Sequence, residues 1–246
     1  GGAGVISASV TVTVTPGTTN VQGDFVVRFK NSTNISATVP FVGVGDGIHV
    51  WGDSNADGRA GASQSFTAPA AIPALIATQY DGTWATLSGT STGADGSWRP
   101  LLATYLSADQ GVPVFYTALG VAGSRVVGGW FDLTTGTTVG SWNTFTAFAN
   151  AGGAGRVVLA WGSTNDATDG ISAGETTAAY LALAQDGYDD LTGNPSTLYT
   201  QIGFATTPIS KADNVRLGQA DAAASPQSKV LSTVCIHDLT DSDALH

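Results

Sequence analysis

The 246-residue chain contains no methionine, one cysteine and three histidines. A single cysteine excludes an internal disulfide and any thiolate metal cluster. Cys235 stands in the apolar run Val230–Ile236 and reads as a buried structural thiol. Positive charge is also scarce. Nine basic residues face nineteen acidic ones, for a net charge of −10. The nine are Arg28, Lys30, Arg59, Arg99, Arg125, Arg156, Lys211, Arg216 and Lys229, scattered along the chain. No basic stripe exists to neutralise phosphates, so a nucleic-acid partner is not expected. No run is long and apolar enough to cross a bilayer, so membrane insertion is not expected either. No secretory signal pattern opens the chain. With no initiating methionine, the chain is expected to be processed or to be a piece of something longer.

What is present divides the chain at residue 46. Residues 1–46 are β-rich. Val5–Thr15 alternates apolar and polar residues, as a half-buried strand does. Pro16-Gly17 signals a turn, and Asp24–Lys30 and Ala37–Val44 read as two further strands. From residue 47 onward, strands alternate with helices. The expected strands are Ile48–Trp51, Val112–Leu119, Arg156–Trp161, Leu198–Phe204 and Val230–Ile236. Such short, mostly continuous apolar runs suit a parallel sheet covered on both faces. The expected helices are Trp98–Ala108, Trp142–Ala151, Ala173–Asp186 and Lys211–Ala224. Ser172 with Glu175, and Ser210 with Asp213, read as helix-starting caps. Gly187 is placed to end the third helix. This alternation predicts right-handed crossovers and a doubly wound sheet. Residues 56–97 form a long Gly/Ala/Ser/Thr-rich connection with Tyr80 and Trp84, expected to lie over whatever site follows the first strand.

The stretch Gly47–Gly58 organises the second region. Its apolar run stops at Gly52-Asp53-Ser54-Asn55, which puts a serine hydroxyl at the carboxyl edge of a sheet, where open α/β folds bind ligands. By itself Gly52-Asp53-Ser54 is an ordinary turn signal. Three further stretches end predicted strands in the same way: Leu119-Gly120-Val121-Ala122-Gly123-Ser124, Trp161-Gly162-Ser163-Thr164-Asn165-Asp166 and Asp241-Ser242-Asp243-Ala244-Leu245-His246. Serine needs a base held by a third group to act as a nucleophile, and the last stretch could supply both.

This order of blocks resembles the SGNH (GDSL-like) hydrolase superfamily, in the branch of sialic-acid O-acetylesterase-like carbohydrate esterases. Ser97-Trp98-Arg99-Pro100-Leu101-Leu102-Ala103 leading to Gly111-Val112-Pro113-Val114, and Arg216 with Gln219, also look like that branch. The resemblance covers about residues 47–246 and does not reach the N-terminal unit. It implies a three-layer α/β/α sandwich around a five-stranded parallel sheet, preceded by the small β-rich segment. It implies a metal-free, cofactor-free serine esterase working through an acyl-enzyme on an acetylated glycan or polysaccharide. In that scheme Ser54 attacks, His246 is the base and Asp243 orients it. The backbone N–H groups of Ser54 and Gly123 and the side-chain amide of Asn165 form the oxyanion hole. Gly120 competes with Gly123 for that role; Gly123 is preferred because a hydroxyl residue follows it. Asn165 follows Gly162 with two residues between, where the superfamily more often has one.

Other residues have plainer readings beside functional ones. Adjacent His237 and Asp238 cannot easily share one face of a strand. His49 lies within the first strand and reads as a core or surface histidine. Asp53 is a cap or a substrate contact, and Arg125 and Trp84 are further candidate substrate contacts. Asp166, Asp169 and Glu175 lack calcium-loop spacing and read as a solvated acidic loop. Most tryptophans are expected in the core, with Trp130 also a candidate wall of the site. The competing function is a carbohydrate-binding or structural module with little turnover, part of a larger surface or viral fibre protein. The protein is expected outside the cell, on a cell surface or on a virion.

Overall fold

The computed structural model describes residues 22–43, 45–57, 78–80, 84–86, 99–153, 155–191, 198–202, 212–226 and 230–234. The first described elements form a hairpin. Strand β1 (Gln22–Phe29) pairs antiparallel with β2 (Ser32–Gly43) in a two-stranded sheet of their own. β2 starts at Ser32 rather than at Ala37. Phe25 sits opposite Val39 and Val27 opposite Ala37, so these four share one face. Val26 opposite Thr38 and Arg28 opposite Ser36 make the other, more polar face. The apolar face is largely exposed: Val27 and Val39 are each more than half exposed. The predicted strand Val5–Thr15 lies outside the described residues.

The second region is an α/β unit. Its strands are β3 (Asp46–Gly52), β4 (Thr78–Tyr80), β5 (Trp84–Thr86), β6 (Val114–Gly120), β9 (Val157–Trp161), β10 (Leu198–Ile202) and β11 (Val230–Val234). They form one sheet in the order β11-β10-β9-β3-β6-β4-β5. A small hairpin of β7 (Phe131–Asp132) and β8 (Thr137–Thr138) stands apart from it. The five predicted strands are contiguous and parallel in the sheet, but the sheet is wider than predicted, with seven strands among the described residues. The two extra strands come from the connection expected to cover the site. β4 pairs parallel with β6, and β5 closes the edge antiparallel to β4. Three-residue strands carry too few side chains for a period-two pattern to show.

The helices are α1 (Ser54–Asp57), α2 (Arg99–Gln110), α3 (Gly140–Gly152), α4 (Thr164–Asp169), α5 (Ala173–Asp190) and α6 (Ala212–Ala224). The predicted stop of α5 at Gly187 is wrong; the helix continues to Asp190. The extra turn brings Leu191 into the core, and Asn150 donates its amide to the Asp190 carbonyl at 2.8 Å, satisfying a C-terminal acceptor. At the other end the predicted cap is present. The Ser172 hydroxyl and backbone N–H both reach the Glu175 carboxylate, at 2.6 and 3.0 Å, and the Glu175 N–H returns to the hydroxyl at 3.3 Å. Ser210 lies outside the described residues.

Alternation along β3 divides the core. Ile48 and Val50 pack with Val114, Tyr116 and Ala118 of β6 and with Ala103 of α2. Trp51 points the other way, into a cluster with Val158 and Ala160 of β9, Trp142 and Phe145 of α3, and Tyr180 and Leu183 of α5. The Trp51 ring lies 5.1 Å from Trp130 and 5.6 Å from Trp142, centroid to centroid. Burial of each such side chain contributes about 2 kcal/mol from area alone, so β3 is anchored on both faces. β3 is also the strand from which the chain first moves towards β6 and later returns towards β9. That reversal of strand order is where open α/β sheets place their ligands.

Candidate active site

β3, β6 and β9 end level with one another. Gly52 is paired with Gly120 on one side and with Trp161 on the other. Beyond the last pair, the Asp53 N–H donates to the Trp161 carbonyl and the Val121 N–H to the Gly52 carbonyl, both at 3.0 Å. Gly52 has φ +149°, and a Cβ there would run into the carbonyl of Trp161. Only glycine lets β3 pass so close to its neighbour before turning. The turn leads directly into α1, which places Ser54 at the carboxyl edge, nearly buried, with 9 % of its surface exposed.

The loop after β6 turns at Gly123. The Ser124 N–H donates to the Val121 carbonyl at 3.0 Å, and Gly123 takes φ +75° at the third position of that turn. Gly120 stays in the strand, paired with Gly52. The Asn165 side-chain amide donates to the Ser124 carbonyl at 2.9 Å, which ties the third loop to the second. An amide has two N–H groups, so this bond fixes the plane of the Asn165 side chain and uses only one of them. The structure therefore brings Ser54, Gly123 and Asn165 to one edge of one sheet, in three adjacent loops. Asp243 and His246, like His237 and Asp238, lie outside the described residues.

The unusual spacing of the third block has a structural counterpart. Ser163 has φ +84°, and it is the non-glycine residue of positive φ among those described. The backbone asks for glycine at Ser163, one residue closer to Asn165 than Gly162 is. The fully buried Ser163 hydroxyl lies 2.8 Å from the Tyr180 hydroxyl, which also accepts from the Gln219 amide at 3.2 Å. Burial pushes the Tyr180 phenol far above its usual range, against the pull of those two bonds. Gln219 of α6 and Tyr180 of α5 thus reach the turn beneath Asn165.

Several sequence-level readings change. Asp53 is buried, 1 % exposed, and accepts the Thr164 N–H at 3.3 Å, which ties the first loop to the third. Asp166 is not part of a solvated loop. It is completely buried and accepts the N–H groups of Val126 at 2.8 Å and Val127 at 2.9 Å. Burial raises its carboxyl above the usual range; the two N–H groups oppose this and the Asp53 charge adds to it. Trp130 is fully buried and cannot line a site; its indole N–H donates to the Ser124 hydroxyl at 3.0 Å, beneath the Gly123 turn. Arg125 is half exposed and paired with Asp169 at 2.9 Å. Trp84 opens β5 at the edge of the sheet. His49 is buried beside Phe115 and Phe145. Neither ring nitrogen makes a well-formed hydrogen bond. Burial pushes the imidazole down to about 4, partly offset by the Gly153 backbone. Asp166 was the residue that sequence reasoning missed, because its partners stand some forty positions earlier and nothing local marks the pairing.

Among the described residues, no group of three or more His, Cys, Asp or Glu is placed to hold a metal ion. No described helix is long and apolar enough to cross a membrane.

The molecule belongs to the α/β class with a mostly parallel sheet and a cluster of loops at the carboxyl edge of its central strand. No family model matches the chain, and no curated protein sequence matches it. Its fold is similar to that of solved structures. One is a protein from Arabidopsis thaliana, 17 % identical with a TM-score of 0.65, a match covering 82 % of this chain and 90 % of that one. Another is a carbohydrate acetylesterase from Xanthomonas citri, 17 % identical with a TM-score of 0.59, covering 85 % of this chain and 54 % of that one. The chain thus spans about half the length of the Xanthomonas citri enzyme. At such identities the likeness establishes the fold alone.

Proposed function

We propose that the chain is a serine esterase of the SGNH type that removes acyl groups, acetyl above all, from a carbohydrate. The observation that carries this reading is the gathering of Ser54, the Gly123 turn and the Asn165 amide in cross-linked loops at the carboxyl edge of the strand where the sheet order reverses. The acetylesterase activity of a protein with a similar fold agrees with it.

In this mechanism the Ser54 hydroxyl oxygen bonds to the ester carbonyl carbon while His246 takes the hydroxyl proton. The resulting oxyanion accepts from the N–H groups of Ser54 and Gly123 and from the second amide N–H of Asn165. Collapse expels the sugar alcohol, which takes the proton from His246, and leaves acetyl on Ser54. Water then repeats the cycle and releases acetate. Asp243 orients the imidazole and favours its charged form. No metal or cofactor enters the scheme.

The test is acetate release from acetylated polysaccharides, with Ser54→Ala and Asn165→Ala as variants. Ser54→Ala is expected to abolish turnover with the fold intact. Asn165→Ala is expected to lower kcat about a hundredfold with little change in KM, as for loss of one oxyanion donor. Rates that match the parent in both variants overturn the assignment.

A second reading, a module of a larger surface or fibre assembly, is favoured by one observation. The hairpin β1–β2 presents an uncharged, largely exposed apolar face, and two-stranded hairpins are marginal alone. Association that is lost on Val27→Glu, together with no ester hydrolysis by the parent chain, would favour that reading.

A further inference from the structure

The start of α4 holds the Gly123 loop from two sides. Asn165 donates to the Ser124 carbonyl at 2.9 Å. The next residue, Asp166, accepts two backbone N–H groups of the same loop, those of Val126 and Val127, at 2.8 and 2.9 Å. Successive residues of one helix therefore grip residues 124–127 at three backbone atoms. The Trp130 indole N–H on the Ser124 hydroxyl, and the N–H groups of Trp130 and Phe131 on the Val126 carbonyl, brace the loop from within. Asp166 has no exposed surface, so it is not held there by contact with solvent or with a ligand. A buried carboxylate is unfavourable unless its oxygens are used, and here both are used on the segment that follows the Gly123 turn.

We infer that Asp166 is a positioning residue for the oxyanion site, setting the Asn165 amide at a fixed distance from Ser54. The inference rests on the esterase reading above. Asp166 touches no reacting atom. It acts by anchoring residues 126–127, so that Ser124 cannot swing and release the Asn165 amide. Donors in such sites work through preorganisation, and a displacement of about 1 Å can cost about a hundredfold in rate. Asp166→Asn keeps the size of the side chain but sets an NH2 group against one of the two N–H donors.

The experiment combines ester hydrolysis with amide hydrogen exchange on the parent chain, Asp166→Asn, Asn165→Ala and the double variant. In Asp166→Asn, exchange at Val126 and Val127 is expected to accelerate at least about tenfold. Its kcat per folded molecule is expected to fall about a hundredfold, with KM within about threefold. The double variant is expected to be no more than about threefold slower than Asn165→Ala, because both changes remove the same donor alignment. Faster exchange with an unchanged kcat per folded molecule overturns the positioning role and leaves Asp166 as a brace of the fold. Fully multiplicative losses in the double variant overturn the route through Asn165. Unchanged exchange overturns the clamp itself. If the parent chain hydrolyses no ester, the esterase reading fails and the positioning role fails with it, whereas the exchange rates still decide whether the clamp exists.

Discussion

Replacing His49 by glutamine should remove most of the loss of stability on mild acidification. The imidazole is buried between strand and helix, and burial lowers its pKa from 6.5 to about 4. In the unfolded chain it takes up a proton near pH 6.5; in the native protein it resists until about pH 4. Between those values the unfolded state binds more protons, so stability falls as pH falls. Above pH 6.5 the contribution is complete, and below about 4 it is gone. At about 1.4 kcal/mol for each tenfold change in proton affinity, the full drop corresponds to about 3 kcal/mol. That is a large part of the stability of a typical domain. The variant pays a constant penalty for burying an amide, but this does not vary with pH. The assay is urea unfolding of both proteins from pH 7.5 to pH 4. The difference in unfolding free energy should shrink by about 3 kcal/mol over that range, with most of the change between pH 6.5 and 4.5. Asp166, raised by burial, drives stability in the opposite direction, but it is common to both proteins and cancels in the difference. A difference that stays constant within about 0.5 kcal/mol across the range refutes the argument.

Three further outcomes follow from the same geometry. Ser163→Gly and Ser163→Ala both lose the hydroxyl near Tyr180, but only alanine keeps a Cβ at φ +84°; thermal unfolding should show the glycine variant more stable by about 1 kcal/mol. Gly52→Ala forces a Cβ into the Trp161 carbonyl, so the variant should either fail to accumulate as soluble protein or lose more than about 3 kcal/mol in urea unfolding; near-parental stability would contradict the close approach of β3 and β9. In the proposed esterase, p-nitrophenyl esters should be cleaved with a kcat/KM that falls steeply beyond about four acyl carbons, because extra methylenes would overfill a site shaped for acetyl; a preference for octanoate points instead to a lipase-like or thioesterase-like enzyme.

The strands β3, β6, β9, β10 and β11 were legible in the sequence because they are short, mostly apolar runs between helical stretches, and such runs carry their meaning locally. The serine at the end of β3 and the start of α5 were legible for the same reason: a strand stopping at Gly-Asp-Ser, and a serine followed three residues later by glutamate, are short-range signals. Tertiary structure decided everything that depends on partners far along the chain. The width of the sheet was set by the free edge of β6, which recruits two strands too short to show a period. The end of α5 was set by where Leu191 could be buried and by Asn150 waiting for the last carbonyl, not by the glycine at 187. At the candidate site, sequence singled out Ser54, Gly123 and Asn165 as residue types ending strands. It could not show that Asn165 is held by the Ser124 carbonyl, that the glycine-like backbone of the third loop falls on Ser163, or that Asp53 and Asp166 face inward. A carboxylate in a polar loop looks solvated until the fold brings buried N–H groups to it, and those groups belong to residues 39 to 111 positions away.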